Sequence, residues 1–448
     1  LRYVFFEFTD ADRKQKTHRK IINFTIHLSG NIVWLPFAMV DNADRLPKSF
    51  FRSTRYILFW IGSLFSNMGS WMQQIAEPWV VLSLSNSPFW VGLDGFALNA
   101  PGLIFTLWGG VLADRYNRRK VVFVFQALQF LCVATLVVLL VGGWLKVWMI
   151  VCISFLVGLT DALSMPSFQS IVPSLVKQHD IKRAVSLNST QFNLSRVLGP
   201  AIAGIVIVRF GAVACFSANA ASYLPFFLAL YFIYPHKVVE TQLQGAEEKP
   251  VELLRAFVKL LRNREVSLPL LTTLATNLFC GPLVTFCPVL IKNVFHGEVG
   301  NFGGAMAAFG VGGLIGAASS FIPLPASVKR NRFAAMAAVF LALVVVAIGL
   351  NHSLPLLIVL LVLAGAALTT VNISINTFLQ ENAVNAVRGR VASMYQLTLS
   401  GGISIGALLT GFTVSKLNIS DALVLNGAVA VGLLVWLVWR QGGKAVVS

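Results

Sequence analysis

The chain has 448 residues, 35 of them basic and 18 acidic, so charged side chains make up only 12% of it, about half the share in a soluble domain. Hydrophobic residues reach 56% and the mean hydropathy is +0.75. No soluble fold hides that much apolar surface, and the same numbers exclude a disordered chain and a secreted disulfide scaffold.

In chain order, residues 1–38 come first. The first methionine is Met39, and LRYVFFEFTDADRKQKTHRK has no strong helical period and no counterpart elsewhere in the chain. The expectation is a disordered tail or a non-native extension, with the fold starting near Arg52. Long stretches without Asp, Glu, Lys or Arg follow. A membrane helix needs about 20 mostly apolar residues to cross roughly 30 Å of hydrocarbon. The runs predict an all-α membrane protein of twelve transmembrane helices near 56–84, 88–113, 119–143, 146–175, 185–208, 212–234, 265–291, 300–323, 333–350, 354–380, 389–415 and 421–439. His352, with Asn351 and Pro355, marks the turn between the ninth and tenth. Strands are not expected, since nothing alternates in segments of about ten as a membrane barrel would.

The longest internal polar segment splits the helices six and six. The resulting organisation is a tail (1–51), a first bundle (52–235), a linker (236–264), a second bundle (265–440) and a short tail (441–448). Within the linker, 250–262 has helical apolar spacing and reads as a surface helix. The halves are alike. An offset of 207 places Gly158 on Gly365, Arg183 on Arg390, Gly199 on Gly406 and Gly204 on Gly411. An offset of 211 places Gly102-Leu103-Ile104 on Gly313-Leu314-Ile315. Two consistent offsets predict a 6+6 pseudo-repeat. The five cysteines all fall in predicted helices without a CxxC pair, and read as buried, inert thiols. No cleavable signal peptide is expected before the first helix.

The charge of +17, which in a soluble protein would point to nucleic acid, sorts by predicted loop. One side collects 24 of the 35 basic residues, among them Arg115, Arg118, Arg119, Lys120, Arg330 and Arg390. The other side holds only Lys146, Arg209, Lys292 and Lys416. Basic residues stay on the cytoplasmic side, so both termini are expected there. The excess is then a topology signal, aided by anionic lipid heads, and nucleic acid is not an expected partner.

Few ionisable groups remain inside the helices: Glu77, Asp94, Asp161 and Arg196, all in the first half. Such groups cost at least about 2.5–3.5 kcal/mol to insert and usually face a cavity or a partner. Asp161 and Arg196 come out near mid-bilayer on neighbouring helices. They are expected to pair, either as a static lock or as a pair that substrate or a proton opens. Glu77 and Asp94 lie nearer the outer face. A carboxylate in apolar surroundings suits a proton carrier, and the alternative is a solvated outer vestibule. Pro78 beside Glu77 predicts local unwinding. Glu381 reads as solvated at the end of the tenth helix. Gly199-Pro200 and Gly281-Pro282 are expected to bend their helices next to a substrate cavity; close helix packing explains them equally well.

Between the second and third helices stands GGVLADRYNRRK (109–120), a tight turn in which small residues let helices approach and cations reach neighbouring helix ends. This resembles the signature loop of the major facilitator superfamily at Gly110, Leu112, Ala113, Asp114, Arg115, Arg118 and Lys120. Asn117 replaces the usual glycine, a mild change because Asn tolerates turn conformations. NSTQFNLSRVLGPAIAG (188–204), RGRVASMYQLTLSGGISIGALLTG (388–411) and SNMGSWMQQIAEPWVVLSLSNSP in the first helix narrow the resemblance to the branch of enterobactin and macrolide exporters. It covers about residues 52–440. The resemblance implies two six-helix bundles rocking about a central site, with export of a small amphipathic molecule, drug or siderophore, in exchange for protons. It also implies a gating latch at Gly110, Asp114, Arg115 and Arg118. For Arg119 and Lys120, topology alone is at least as good a reading.

No cofactor and no metal are expected, only the proton gradient, a small-molecule substrate and the bilayer as partners of a monomer. An importer on the same fold is the close alternative. A multipass enzyme is disfavoured, because the six histidines show no metal spacing and no nucleotide-binding glycine loop is present.

Overall fold

In lipid a backbone must satisfy its own hydrogen bonds, and long apolar runs therefore fold as helices. The computed structural model describes residues 21–28, 31–38, 54–177, 180–233, 262–319, 330–383 and 388–442. The chain divides into two units, residues 1–57 and 58–448.

The first unit contains two strands, a departure from the expected disordered tail. β1 (Ile21–Leu28) pairs antiparallel with β2 (Asn31–Ala38), with Phe24 opposite Leu35 and Ile26 opposite Val33. The missed signal is an alternation in IINFTIHL followed by Ser29-Gly30, a two-residue connection suited to a hairpin. Pro36 lacks an N–H for a ladder bond, which a two-stranded sheet tolerates because both strands are edges.

Twelve helical spans follow among the described residues. They are α1 (Thr54–Ser85), α2 (Pro88–Arg115), α3 (Arg118–Val141), α4 (Val147–Ser174), α5 (Ile181–Phe210) and α6 (Ala212–Phe232). Then come α7 (Arg264–Asn293), α8 (Val299–Ser319), α9 (Arg330–Gly349), α10 (Leu354–Asn382), α11 (Arg388–Lys416) and α12 (Ile419–Gly442). Ten of them, α3 to α12, are long and apolar enough to cross a membrane. Local chemistry sets several ends. The Asn117 side chain caps α3 by accepting from the backbone N–H groups of Arg119 and Lys120 at 3.1 and 3.3 Å. Gly211, at φ +79°, turns the chain from α5 directly into α6. The expected surface helix at 250–262 lies outside the described residues, apart from Arg262 at its end.

Of the three expected helix irregularities, those at Pro78 and Gly281-Pro282 come out differently from each other. α1 runs unbroken through Pro78; no unwinding occurs there, because one lost N–H is a local defect that the neighbouring helical bonds bridge. In α7, residues Thr276–Cys280 form a π-turn immediately before Gly281-Pro282, with the Gly281 N–H donating to the Thr276 carbonyl at 3.1 Å.

The pairing of helices repeats with a shift of six. α2 packs on α4 as α8 packs on α10, α3 on α6 as α9 on α12, and α2 on α11 as α5 on α8. The glycines show the same relation. A Cβ on Gly158 would run into the Leu98 carbonyl, and one on Gly365 into the Phe309 carbonyl. Gly92 faces Gly411 as Gly303 faces Gly204. All four correspondences obey the offsets of 207 and 211.

Two ends of the helical unit are distinguishable, one carrying Asn86, Gly211 and Asn418, the other Asn117. The close glycine contacts of α2 with α11 and of α5 with α8 fall towards the Asn86 end. Trp79 stacks on Phe302 there at 5.2 Å. Cys215, Cys280 and Cys287 are buried, but Cys152 is exposed and Cys132 half-buried. Both lie on α3 and α4, which turn one face outward; reading every helix-borne thiol as buried overlooked lipid-facing surface.

Candidate functional site

Polar side chains from α1, α2, α3, α4 and α6 converge inside the first six helices. Glu77 of α1 is 4% exposed, and so is Asp94 of α2; neither stands in a solvated vestibule. Glu77 accepts hydrogen bonds from Ser154 Oγ of α4 at 2.5 Å and from Gln73 Nε2 at 3.1 Å. Gln73 and Glu77 are four residues apart on one face of α1, and Asn219 of α6 donates to Gln73 Oε1 at 2.7 Å. Asp94 lies within electrostatic reach of Glu77 and beside Ser154, while its Oδ1 is buried without a hydrogen-bond partner. Ser154 thus stands between two carboxyl groups.

A cavity of about 30 Å³ opens beside this cluster, lined by Gln73, Glu77, Gln129, Ser154, Asp161 and Asn219 among others. It is polar and large enough for about one water. Across it, Asp161 of α4 accepts from Gln129 Nε2 of α3 at 2.6 Å. Gln129 also accepts from Gln126 Nε2 at 2.9 Å and from the Tyr223 hydroxyl at 3.5 Å. Unlike Glu77, Asp161 is exposed.

The expected Asp161–Arg196 pair does not form. Asp161 occupies the face of α4 that meets α3 and α6. Arg196 leaves α5 on a face turned to α1 and α11, where its guanidinium lies 5.8 Å from the Trp71 ring centroid and donates to the Tyr395 hydroxyl. Equal depth does not imply a shared face. Gly199, one turn beyond Arg196, leaves room for Trp71, whose Cβ would collide with any added methyl. α5 is continuous through Gly199-Pro200, so at Gly199 the close-packing alternative describes the contact.

At the Asn117 end, Gly110 makes no close approach, since a Cβ there would meet nothing within 4 Å. The adjacent Gly109 does, against the carbonyls of Ala162 and Leu163 at 2.6 and 2.9 Å. The Asp114 side chain lies outside the described residues. Arg115 is exposed, and Arg118 Nε reaches back to the Ala113 carbonyl at 3.5 Å. It is Arg119 that bridges helices, donating to the Tyr231 carbonyl at 2.8 Å near the C-terminus of α6, where a cation meets the negative end of the helix dipole. Glu381 is solvent-facing and pairs with Arg330 at 3.7 Å.

At the Asn86 end, Lys292 Nζ of α7 donates to Asn86 Oδ1 at 2.7 Å, linking the α1–α2 turn to the second six helices. Asn86 holds φ +50°. A crevice of about 710 Å³ lies alongside, lined by Asn86, Asn293, His352, Asn418 and Asp421 among others.

In the second six helices the described buried polar groups are uncharged. Asn277, in the π-turn, donates to Asn372 Oδ1 at 3.3 Å, and the Tyr395 hydroxyl donates to the Asn372 carbonyl at 2.9 Å. Gln73, Gln129, Ser154, Asn219 and Tyr223 were missed from sequence because neutral polar groups do not interrupt uncharged runs. The spacing of Gln73 to Glu77 was the one signal available.

A profile described as transmembrane secretion effector matches residues 47–441, nearly the whole helical unit. The chain belongs to the transmembrane secretion effector family. The chain is 27% identical to the staphyloferrin A transporter of Staphylococcus aureus over 369 residues, covering 80% of this chain and 87% of that one. It is 25% identical to the multidrug efflux pump Tap of Mycolicibacterium fortuitum, covering 84% and 95%. Among solved structures, the nucleoside transporter NupG superimposes with a TM-score of 0.67 at 13% identity, covering 87% of this chain and 100% of that one. That likeness shows the major facilitator fold.

Proposed function

We propose that this family member is a proton-driven exporter of a small amphipathic molecule, a drug or a siderophore, working by alternating access in a bacterial inner membrane with both termini in the cytoplasm. One observation carries the reading: two buried carboxyl groups, Glu77 and Asp94, flank Ser154 beside a water-sized cavity that Asp161 also lines. A buried acid without a fixed cation can exchange a proton for little structural change, whereas an ion-paired one cannot.

In this reading α1 and α2 cross the membrane with the other ten helices, and residues 52–235 and 265–440 are the two rocking bundles. Contacts gathered at the Asn86 end keep that side shut while cargo enters from the other. A proton taken up by Glu77 or Asp94 from the outer side and released inward then drives the return. The loop residues Gly110, Asp114, Arg115 and Arg118, joined by Arg119, act as the latch on the opposite face. The chain works as a monomer with no cofactor.

Energised everted vesicles containing the full chain should accumulate at least one member of a panel of small amphipathic molecules that includes carboxylates, and an uncoupler should abolish this. Glu77→Gln should remove coupling while leaving expression intact. Uncoupler-resistant accumulation, or unchanged coupling in Glu77→Gln, would sink the proposal.

A further inference from the structure

Arg196 sits 15 residues into α5 and 14 from its end, about 20 Å from either terminus at 1.5 Å per residue. A guanidinium at that depth ordinarily finds a carboxylate, because an uncompensated charge in a low-dielectric bundle is the costly state. Among the described residues Arg196 has no ion-pair partner. Its contacts are the Trp71 ring and the Tyr395 hydroxyl, which orient a planar donor without neutralising it. The membrane carboxylates lie elsewhere: Glu77 on Ser154 and Gln73, Asp161 on Gln129, and Asp94 beside Ser154 and Glu77. Arg196 is only partly buried, so a ligand can reach it.

A second observation points the same way from the other six helices. Tyr395, which accepts from Arg196, donates to the carbonyl of Asn372. Asn372 is 4% exposed, and its side-chain Nδ2 has no acceptor. Arg196 of α5 and the Asn372 backbone of α10 thus share one tyrosine of α11; the guanidinium lacks a counter-charge and the Asn372 amide lacks an acceptor, and a carboxylate supplies both. A guanidinium offers five N–H groups in a fork that matches a carboxylate.

We propose that Arg196 is the anion-recognition residue of the transport site and that the cargo carries a carboxylate, held between the Arg196 guanidinium and the Asn372 amide with Trp71 against its apolar part. Bound there, the carboxylate would join the two halves of the molecule. The proposal rests on the reading of the chain as a transporter and is independent of transport direction and proton coupling.

The test is equilibrium binding without a gradient, so failed export and failed anion recognition are separate results. The purified full chain in phosphatidylcholine nanodiscs is titrated with 1-pyrenebutyrate and with its methyl ester. The acid is expected to bind at least tenfold more tightly than the ester. Arg196→Gln should weaken the acid about tenfold or more and the ester less than twofold, and Asn372→Ala should weaken the acid about threefold. Equal binding of acid and ester by the wild type, no binding of the acid, or an unchanged acid affinity in Arg196→Gln would overturn the assignment. If Arg196→Gln does not fold, Arg196→Lys and Tyr395→Phe carry the test: a threefold or larger loss of acid preference supports it, and full preference in both overturns it. A preference that disappears in phosphatidylglycerol nanodiscs would identify a lipid headgroup as the anion and overturn the cargo assignment.

Discussion

Gly158 of α4 lies directly against the carbonyl oxygen of Leu98 in α2, so closely that a methyl group on Gly158 would run into it. Backbone atoms cannot yield as a flexible side chain can. Gly158→Ala should therefore lower the thermal stability of the detergent-purified chain, by about 1–3 kcal/mol on the scale of overpacked cores. Gly365→Ala, which meets the Phe309 carbonyl, should do the same. Gly110→Ala should be neutral or slightly stabilising, since its added methyl meets open space. Melting curves for the three variants check this, and a Gly110→Ala loss matching the other two would contradict the packing account.

Ser154 should matter for proton coupling out of proportion to its size. It donates to Glu77 and stands beside Asp94, and it also reaches the Ile150 carbonyl at 3.0 Å within its own helix. Ser154→Ala leaves Glu77 with Gln73 alone. We expect impaired but not abolished proton-driven efflux, against full loss in Glu77→Gln. Substrate-induced proton release from detergent-solubilised protein would rank the two, and an unaffected Ser154→Ala would remove the serine from the proton site.

Arg119 and Lys120 are adjacent cations with different surroundings. Arg119 donates to the Tyr231 carbonyl at 2.8 Å at the end of α6. Arg119→Gln should cost about 0.3–1 kcal/mol, the range for a cation at an exposed helix C-terminus, and should weaken with rising salt. The exposed Lys120 should be replaceable by Gln with a smaller change. Parallel melts at low and high ionic strength would show the contrast.

The Lys292–Asn86 hydrogen bond ties the two halves at the Asn86 end. Removing it with Lys292→Ala should shift the population towards states open at that end. Ser420 lines the crevice there, and a Ser420→Cys reporter should react faster with an impermeant maleimide once Lys292 is replaced. An unchanged rate would mean that the glycine contacts between α2 and α11 and between α5 and α8 suffice to hold the end shut. Asn86→Gly should relieve the φ +50° backbone yet lose the same bond, and so should report in the same direction.

Much of the architecture was legible before any coordinates. Helix limits came from uncharged runs, and the halves from two offsets whose physical content turned out to be glycines at matching helix contacts. The site was less legible. Glu77 and Asp94 stood out as charges, but the amides and hydroxyls that hold them did not. In the signature loop Arg119 reaches α6, although the neighbouring cations read equally well as sequence. The strands Ile21–Leu28 and Asn31–Ala38 are not legible in hydropathy runs, because an eight-residue alternation is shorter than any lipid-crossing segment.

The sequence alone determined that lipid is the solvent, that the long apolar runs fold as helices, and which family the chain resembles. Those conclusions follow from quantities that accumulate along the chain: hydropathy, run length, the side on which cations fall. Only the tertiary structure decided which side chains meet. Asp161 and Arg196 both lie mid-helix, yet one turns to Gln129 and the other to Trp71 and Tyr395. Each residue advances a helix by 1.5 Å but rotates it by about 100°. Depth can therefore be counted from an end, while direction depends on how each helix is rotated against its neighbours, which is set by contacts from distant parts of the chain.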